Sequence, residues 1–327
     1  MSLRGGKLSK KSTLEHYVQQ RYLKYFASDL KQLNVFVFDK AKNEIRCNQP
    51  INHIACEGGF YDINIDKIIT GQEGLNQEIK LFFKQLGKDF TDKYLSSYIE
   101  PLFNFIDNLV NQFANKELCL NSHVQSIQEE YNRNQISFYI TFQYLRTLAF
   151  RDYFQDLLNQ NNKNRDFLFD ENNSEYLKII HTKLLFNNNL VSAIQKSIAG
   201  GIWILGQVGK GSVLYTSDNP VYVLADFQKE PGIFTNVLLI SYPLTPNLLL
   251  LIMSPETADR LKYKELENRL VELNPRAIDY FNHQRVTGAY RSVFYSNKQM
   301  DKAMHFHSTD LNLSREDKIS QFFHFSS

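Results

Sequence analysis

The stretch GGIWILGQVGKGSVLYTSDNPVYVL, residues 200–224, decides the reading of the fold. Trp203-Ile204-Leu205, Val213-Leu214-Tyr215 and Val221-Tyr222-Val223 are short runs of β-branched and aromatic residues divided by glycine and proline. Runs of that kind are strands. Asn236 to Tyr242 and Leu248 to Met253 continue the texture, so residues 201–255 form a β-rich part. Gly206-Gln207-Val208-Gly209-Lys210-Gly211-Ser212 lacks the spacing of a phosphate loop and runs toward a strand, so it reads as a hairpin turn. Pro243-Leu244-Thr245-Pro246 reads as a second rigid turn.

Upstream of this part the period is helical. Leu75, Ile79, Phe82, Phe83 and Leu86 form one apolar stripe, and Tyr98, Leu102, Phe105, Ile106, Leu109 and Phe113 form another. A long helix is expected from about Val124 to Phe154, with Gln143, Arg146 and Arg151 on it, and a further one from about Glu175 to Ile198. Further back, Val35-Phe36-Val37-Phe38-Asp39 is a strand that returns through Ala41–Glu44 as a hairpin. Ser12-Thr13-Leu14-Glu15 has the spacing of a capping box, which predicts a first helix carrying His16. After the β-rich part, helices are expected over Glu256–Leu261 and Lys264–Asn282. The order predicts an α+β fold, a helical block (74–198) packed on a mostly antiparallel sheet. The chain divides into a basic tail (1–11), one domain (12–300) and a C-terminal tail (301–327).

Bulk composition narrows the function classes. The 327 residues are 43% hydrophobic and 22% charged, as in an ordinary globular protein. A net charge of +2 supplies no global field for nucleic acid or a membrane surface. Arg4, Lys7, Lys10 and Lys11 concentrate positive charge in the tail, as a solubilising segment or as an arm that touches phosphates. Cys47, Cys56 and Cys119 lack zinc-site or disulfide spacing, which suits reduced thiols in the cytoplasm. The basic, polar opening is unlike a signal peptide. The most apolar stretch, Val237 to Met253, is broken by Ser241, Pro243, Thr245, Pro246 and Asn247, so no membrane span is expected.

Candidate chemistry gathers in two places. Thr216-Ser217-Asp218-Asn219-Pro220 brings hydroxyls, a carboxylate and an amide to one turn. Asp and Asn also satisfy their own backbone in turns, so this cluster reads equally as structure. As a site, Asp218 is a base or a metal ligand, and Thr216, Ser217 and Asn219 contact substrate. A lone aspartate cannot hold a divalent metal, so Glu100 or another acid would have to join it. The second place is His16 with Tyr17, together with Gln143, Arg146 and Arg151. Histidine is suited to proton transfer near neutral pH. Arginine presents a planar fork of donors to phosphate, or pairs with an inward carboxylate such as Glu100. No HExxH or GxSxG occurs, so zinc hydrolases and serine esterases of the familiar kinds fit poorly.

Glu15-His16-Tyr17-Val18-Gln19-Gln20-Arg21-Tyr22-Leu23-Lys24-Tyr25-Phe26 resembles HHYVPQFYLRRF, the opening signature of domain-of-unknown-function family 4238. The strand Val35–Lys40, the stretch Ile54–Tyr61, Gln143 to Arg146, the TSDNP cluster and the Pro-Leu-Thr-Pro turn follow in that family's order, from about Leu14 to Tyr295. This chain departs from the signature at Glu15, Gln19 and Arg21. The resemblance implies a soluble protein of a bacterial and fungal family, and no activity. Three functions are therefore expected in competition. One is an enzyme on a phosphate-containing substrate such as nucleic acid, a toxin-like or phage-defence effector, with His16 and Asp218 moving protons, the arginines holding phosphate, and a divalent metal as one option. The second is a non-catalytic module for a nucleotide or metabolite. The third is a buried polar network with a purely architectural role.

Overall fold

The computed structural model describes residues 14–29, 31–63, 77, 81, 84, 90–162, 174–225, 234, 236–296 and 301–308. The basic tail, Ser12-Thr13 and the stripe Leu75, Ile79, Phe82, Phe83 and Leu86 lie outside them. The fold is α+β, with mostly antiparallel sheets.

The expected first helix is instead a strand followed by a short helix. β1 (Leu14–His16) pairs antiparallel with β4 (Cys56–Gly58), and α1 (Gln20–Leu23) begins only after Gln19, whose backbone is extended. His16 therefore sits on a strand. β2 (Asn34–Asp39) and β3 (Glu44–Pro50) form the expected hairpin.

The helical block contains α2 (Phe90–Tyr94), α3 (Phe103–Ala114), α4 (Gln125–Gln128), α5 (Glu130–Leu145), α6 (Leu148–Asn162), α7 (Ser174–Leu185) and α8 (Asn188–Ala199). Two expected long helices are broken by caps. Thr147 Oγ1 accepts from the Phe150 amide at 3.2 Å and starts α6, so Arg146 and Arg151 belong to different helices. The Asn187 side chain accepts from Leu190 N at 3.1 Å and starts α8. A π-helical turn over Leu95–Ile99 rotates the chain, which leaves Tyr98 67% exposed instead of in its expected apolar stripe.

The central sheet has the order β10-β5-β9-β8-β7, built from β5 (Ile202–Val208), β7 (Tyr222–Ala225), β8 (Val237–Thr245), β9 (Leu248–Met253) and β10 (Leu270–Leu273). Both faces are buried. Trp203, Leu205, Ile240, Tyr242, Leu250 and Ile252 pack into the helical block, while Ile202, Ile204, Leu239, Leu251 and Met253 meet α9 (Pro255–Leu261) and α10 (Pro275–Gly288). That two-sided burial is the reason β9 reads Leu-Leu-Leu-Leu-Ile-Met with no alternation.

β10 is the one strand of this sheet in parallel pairing, on β5, and it occupies part of an expected helix. Asn274 ends it: its Oδ1 accepts from Ala277 N at 2.8 Å, and Pro275 opens α10. The Pro-Leu-Thr-Pro segment is the end of β8, bulged between Pro243 and Thr245, with the turn to β9 following it.

A second sheet has the order β3-β2-β11-β6, completed by β6 (Thr216–Ser217) and β11 (Ser292–Tyr295). The glycine-rich segment after β5 is thus a crossing between sheets instead of a hairpin. Val213–Tyr215 is not a strand, because its backbone is bonded elsewhere. Asn282 of α10 donates to Val213 O and accepts from Tyr215 N, both at 2.8 Å, and Leu214 N reaches Pro246 O. α10 therefore lies between the sheets. α11 (Asp301–Ser308) follows where a tail was expected, burying Ala303 and Phe306 with Phe38 and Val286.

Candidate functional site

The residues of the opening motif are held by their backbone. Arg146 ends α5 and donates from Nη2 to His16 O. Gln143, one turn earlier on the same face, donates to Tyr17 O at 3.0 Å. Arg151 donates to Phe60 O at 3.1 Å, its guanidinium 3.9 Å over the Phe60 ring. Three helix side chains thus grip the β1–β4 unit through carbonyl oxygens, while Glu15 accepts from Tyr61 N at 2.7 Å.

Arg151 is committed to that task. Arg151 also donates to His181 Nδ1 at 3.2 Å, and His181 donates from Nε2 to Leu145 O at 2.6 Å. Burial and the facing guanidinium push His181 down to about 3, so it is neutral. Tyr17 is buried against Phe60 with ring centroids 5.2 Å apart, and burial together with the Asp218 charge raises its hydroxyl pKa.

Arg146 is different, because it also borders open space. Its Nη1 lies 3.5 Å from Glu100 Oε1, the carboxylate pairing that was one of the two alternatives read from the sequence. Burial works against the charge, but Tyr61, Glu100 and Tyr139 hold its pKa above the ordinary value. A cavity of about 500 Å³ opens here, lined by His16, Gln20, Arg21, Asp92, Glu100 and Arg146 among others. The His16 Nδ1 is 3.4 Å from Gln20 Nε2, and its Nε2 is buried without a hydrogen-bond partner. Burial and the Arg146 charge, with a smaller effect of His53, push His16 below the usual histidine range, against the Asn52 carbonyl. A neutral imidazole therefore stands beside a permanent cation at neutral pH.

The TSDNP cluster is elsewhere, and its polar atoms turn inward. Asp218, 1% exposed, accepts from Tyr290 N, Arg291 N and Ser292 N at 2.8, 2.8 and 2.7 Å. Burial pushes its carboxyl up to about 6, against those three amides and Lys40. Lys40 in turn donates to Ala289 O at 2.7 Å and Thr287 O at 3.1 Å. Tyr22 donates to Pro243 O, so the Thr216 hydroxyl donates to Tyr22 at 2.6 Å. Ser217 bonds both backbone groups of Asn219, and the Asn219 amide donates to Gly288 O at 3.0 Å. The cluster staples β6 to the end of α10 and the start of β11.

The structure thus brings His16, Arg146 and Glu100 together and leaves Asp218, Thr216, Ser217 and Asn219 outside the cavity. Glu100 pairs with arginine and not with Asp218, and the described residues contain no group of three His, Cys, Asp or Glu placed to hold a metal ion. Gln20, Arg21 and Asp92 were not singled out from the sequence. Gln20 and Arg21 were visible in the opening motif as polar residues of the turn after His16, whereas nothing local marks Asp92.

The chain matches the family DUF4238, described as proteins of unknown function, over residues 15–299. No curated protein and no solved structure matches it.

Proposed function

We propose that this protein, which belongs to the DUF4238 family, is an enzyme that acts on a phosphate-bearing substrate, a nucleotide or nucleic acid strand, in the cavity between β1, α2 and α5. The observation that carries this reading is the convergence of His16, Glu100 and Arg146, from three distant parts of the sequence, around one polar cavity. A volume of about 500 Å³ is that of a small-molecule site. A histidine held neutral can accept a proton at pH 7. Arg146 and Arg21, paired with Glu100 and Asp107, both line this cavity, where their guanidinium groups would stabilise charge developing on a phosphoryl oxygen. Glu100, half-buried and paired with Arg146, fixes the guanidinium beside the cavity, and the proton that His16 accepts is the one it would return to the leaving group. Asp218 stands outside this cavity and fixes the backbone of residues 290–292.

Chemistry of this kind on RNA or DNA would suit a toxin-like or phage-defence effector. Cys47, Cys56 and Cys119 are free, and two of them are exposed, which fits a reducing, cytoplasmic setting. Among the described residues, no helix is long and apolar enough to cross a membrane.

The test is incubation of the purified protein with mixed RNA and DNA and with nucleoside triphosphates, in magnesium, in manganese and in chelator. His16→Asn is run beside it, with its fold checked by circular dichroism. Turnover by the wild type that is lost in a folded His16→Asn variant is expected. Absence of turnover in every condition would overturn the enzymatic reading.

One observation favours a non-catalytic module for the same ligands. The His16 Nε2 is buried, and Arg146 is already bonded to His16 O and Glu100. A thermal-shift screen separates the readings, since a ligand at 100 times its Kd stabilises by about 2.7 kcal/mol whether or not it is turned over.

A further inference from the structure

The cavity that holds His16 and Arg146 also carries an unpaired carboxylate, Asp92. Two of its walls are β1 and the helical run from α2 through the π turn. Alternation along β1 puts Leu14 and His16 on the cavity face and Glu15 on the other, where Glu15 accepts from the Tyr61 amide. On the facing wall, Asp92, Ser96 and Glu100 line the cavity from one helical run. Arg146 ties the two walls together at one end by bonding His16 O and pairing with Glu100. Eight residues of helical rise set Asp92 on the order of 10 Å from Glu100.

Charge differs along this length. Arg146 and Arg21 are paired with Glu100 and Asp107. Asp92 is exposed and, among the described residues, forms no ion pair or hydrogen bond. It stands near like charge. Burial raises the Glu15 carboxyl, against the Tyr61 amide, and the Asp62 and Asp92 charges raise it further. Lys178, the cation that acts on Glu15, donates to the Gly59 and Asp62 carbonyls. Leu14, next to Glu15 on β1, is 47% exposed. The cavity thus has guanidinium groups at one end, and a free carboxylate and an apolar side chain toward the other.

We propose, resting on the phosphate-binding role of this cavity, that its ligand is a guanine nucleotide, with the phosphate at Arg146 and Arg21 and the Watson–Crick edge of the base on Asp92. An ionised carboxylate offers two acceptor oxygens and no donor. Guanine presents two adjacent donors, N1–H and the 2-amine, which a carboxylate takes as a bidentate pair. Adenine and cytosine set a ring-nitrogen acceptor beside their amine, and uracil flanks its one N–H with two carbonyls. Each of those edges turns an acceptor toward a carboxylate oxygen. Leu14 supplies apolar surface for the plane of the base.

The experiment is isothermal titration calorimetry of the full chain with GMP, AMP, CMP, UMP and two analogues of GMP. Inosine monophosphate lacks the 2-amine, and xanthosine monophosphate has a carbonyl in its place. GMP should bind about tenfold or more tightly than inosine monophosphate, the loss of one hydrogen bond to a charged group, and more tightly than AMP, CMP and UMP. Asp92→Asn offers one acceptor and one donor, so it should lose the preference for GMP and favour xanthosine monophosphate. Removing a negative charge strengthens every phosphate ligand alike, so the ratio between bases is the readout. Asp92 is exposed, and its substitution relieves repulsion with Glu15, so the variant should fold, as circular dichroism checks. Equal binding of the four bases, or a GMP preference that survives in Asp92→Asn, would overturn the guanine assignment and leave the phosphate site standing. Binding of no nucleotide at all would remove both. If the variant does not fold, the ratio of GMP to inosine monophosphate in the wild type decides.

Discussion

Asp218→Ala is the substitution whose cost the structure fixes most closely. The carboxylate accepts three backbone amides at 2.7–2.8 Å, and a hydrogen bond to a charged group contributes about 1.5–3 kcal/mol. Three such bonds would give more than the whole effect, because two corrections reduce it. Tyr290 and Arg291 are exposed, so water reaches their amides once the carboxylate is gone. Burial of the charge is itself unfavourable, as the rise to about 6 indicates. The expected loss is therefore about 3–5 kcal/mol, a large part of an ordinary domain's stability.

Urea unfolding followed by circular dichroism measures it. With a slope near 3 kcal/mol/M, the midpoint should fall by about 1 M or more at unchanged slope. The pH dependence adds a second readout. The folded carboxyl titrates near 6 and the free one near 3.8, so between those values the folded state binds the proton more tightly. Stability from this group is greatest below pH 3.8 and declines as pH rises to 6, by about 1.4 kcal/mol per unit. The deficit of Asp218→Asn should accordingly shrink across that window and stay level above it. A midpoint for Asp218→Ala within 0.1 M of wild type (~0.3 kcal/mol at that slope) would refute the stapling argument outright.

Three further outcomes follow from the same geometry. His181 has its pKa lowered to about 3 against about 6.5 when unfolded, so its stabilisation is complete above pH 6.5 and is lost as pH falls toward 3; its ring nitrogen shifts in NMR should still be those of a neutral imidazole at pH 4.5, and a protonated ring there would contradict the Arg151 contact. Gly201→Ala places a Cβ 2.5 Å from Ile252 Cγ2 and 3.0 Å from Met253 O, and should cost about 1–3 kcal/mol in thermal unfolding, with no loss if the strand end can move. Arg146→Lys keeps the charge but cannot span both His16 O and Glu100, and should lose about 2–4 kcal/mol while raising the His16 pKa toward the usual range by moving the charge, as an NMR titration would read.

How legible all this was in the sequence depended on the reach of each contact. The β2–β3 hairpin, the apolar face of α3 and the strands β7 to β9 follow local rules, and the sequence displays them. β1 was hidden because three residues become a strand only through pairing with Cys56–Gly58, far along the chain. The break at Arg146 needs one threonine to cap α6, and threonine inside an apolar pattern is a weak signal. β10 was obscured by its flanking helices, although Asn274-Pro275 marks the start of α10 plainly.

Of the candidate site, His16, Arg146 and Glu100 were each visible as chemical types, and their meeting was not. Asp218 stayed open to two readings, because a carboxylate in a polar turn looks the same whether it faces a ligand or the amides of residues 290–292. Only the path of β11, set by pairing with β2 and β6, distinguishes the two.

The grips that Arg146, Gln143, Arg151 and Asp218 exert on residues 16, 17, 60 and 290–292 end on main-chain atoms. A carbonyl or an amide is the same group whatever side chain hangs from it. These hydrogen bonds therefore constrain the gripping residues, whereas the identity of a gripped position is set by its other contacts, such as the packing of Tyr17 on Phe60. Glu15 stands where the resembled signature has histidine, and its own carboxylate likewise ends on a main-chain atom, the Tyr61 amide. A scaffold fastened in this way can keep its shape while the residues that line its cavity drift toward different ligands.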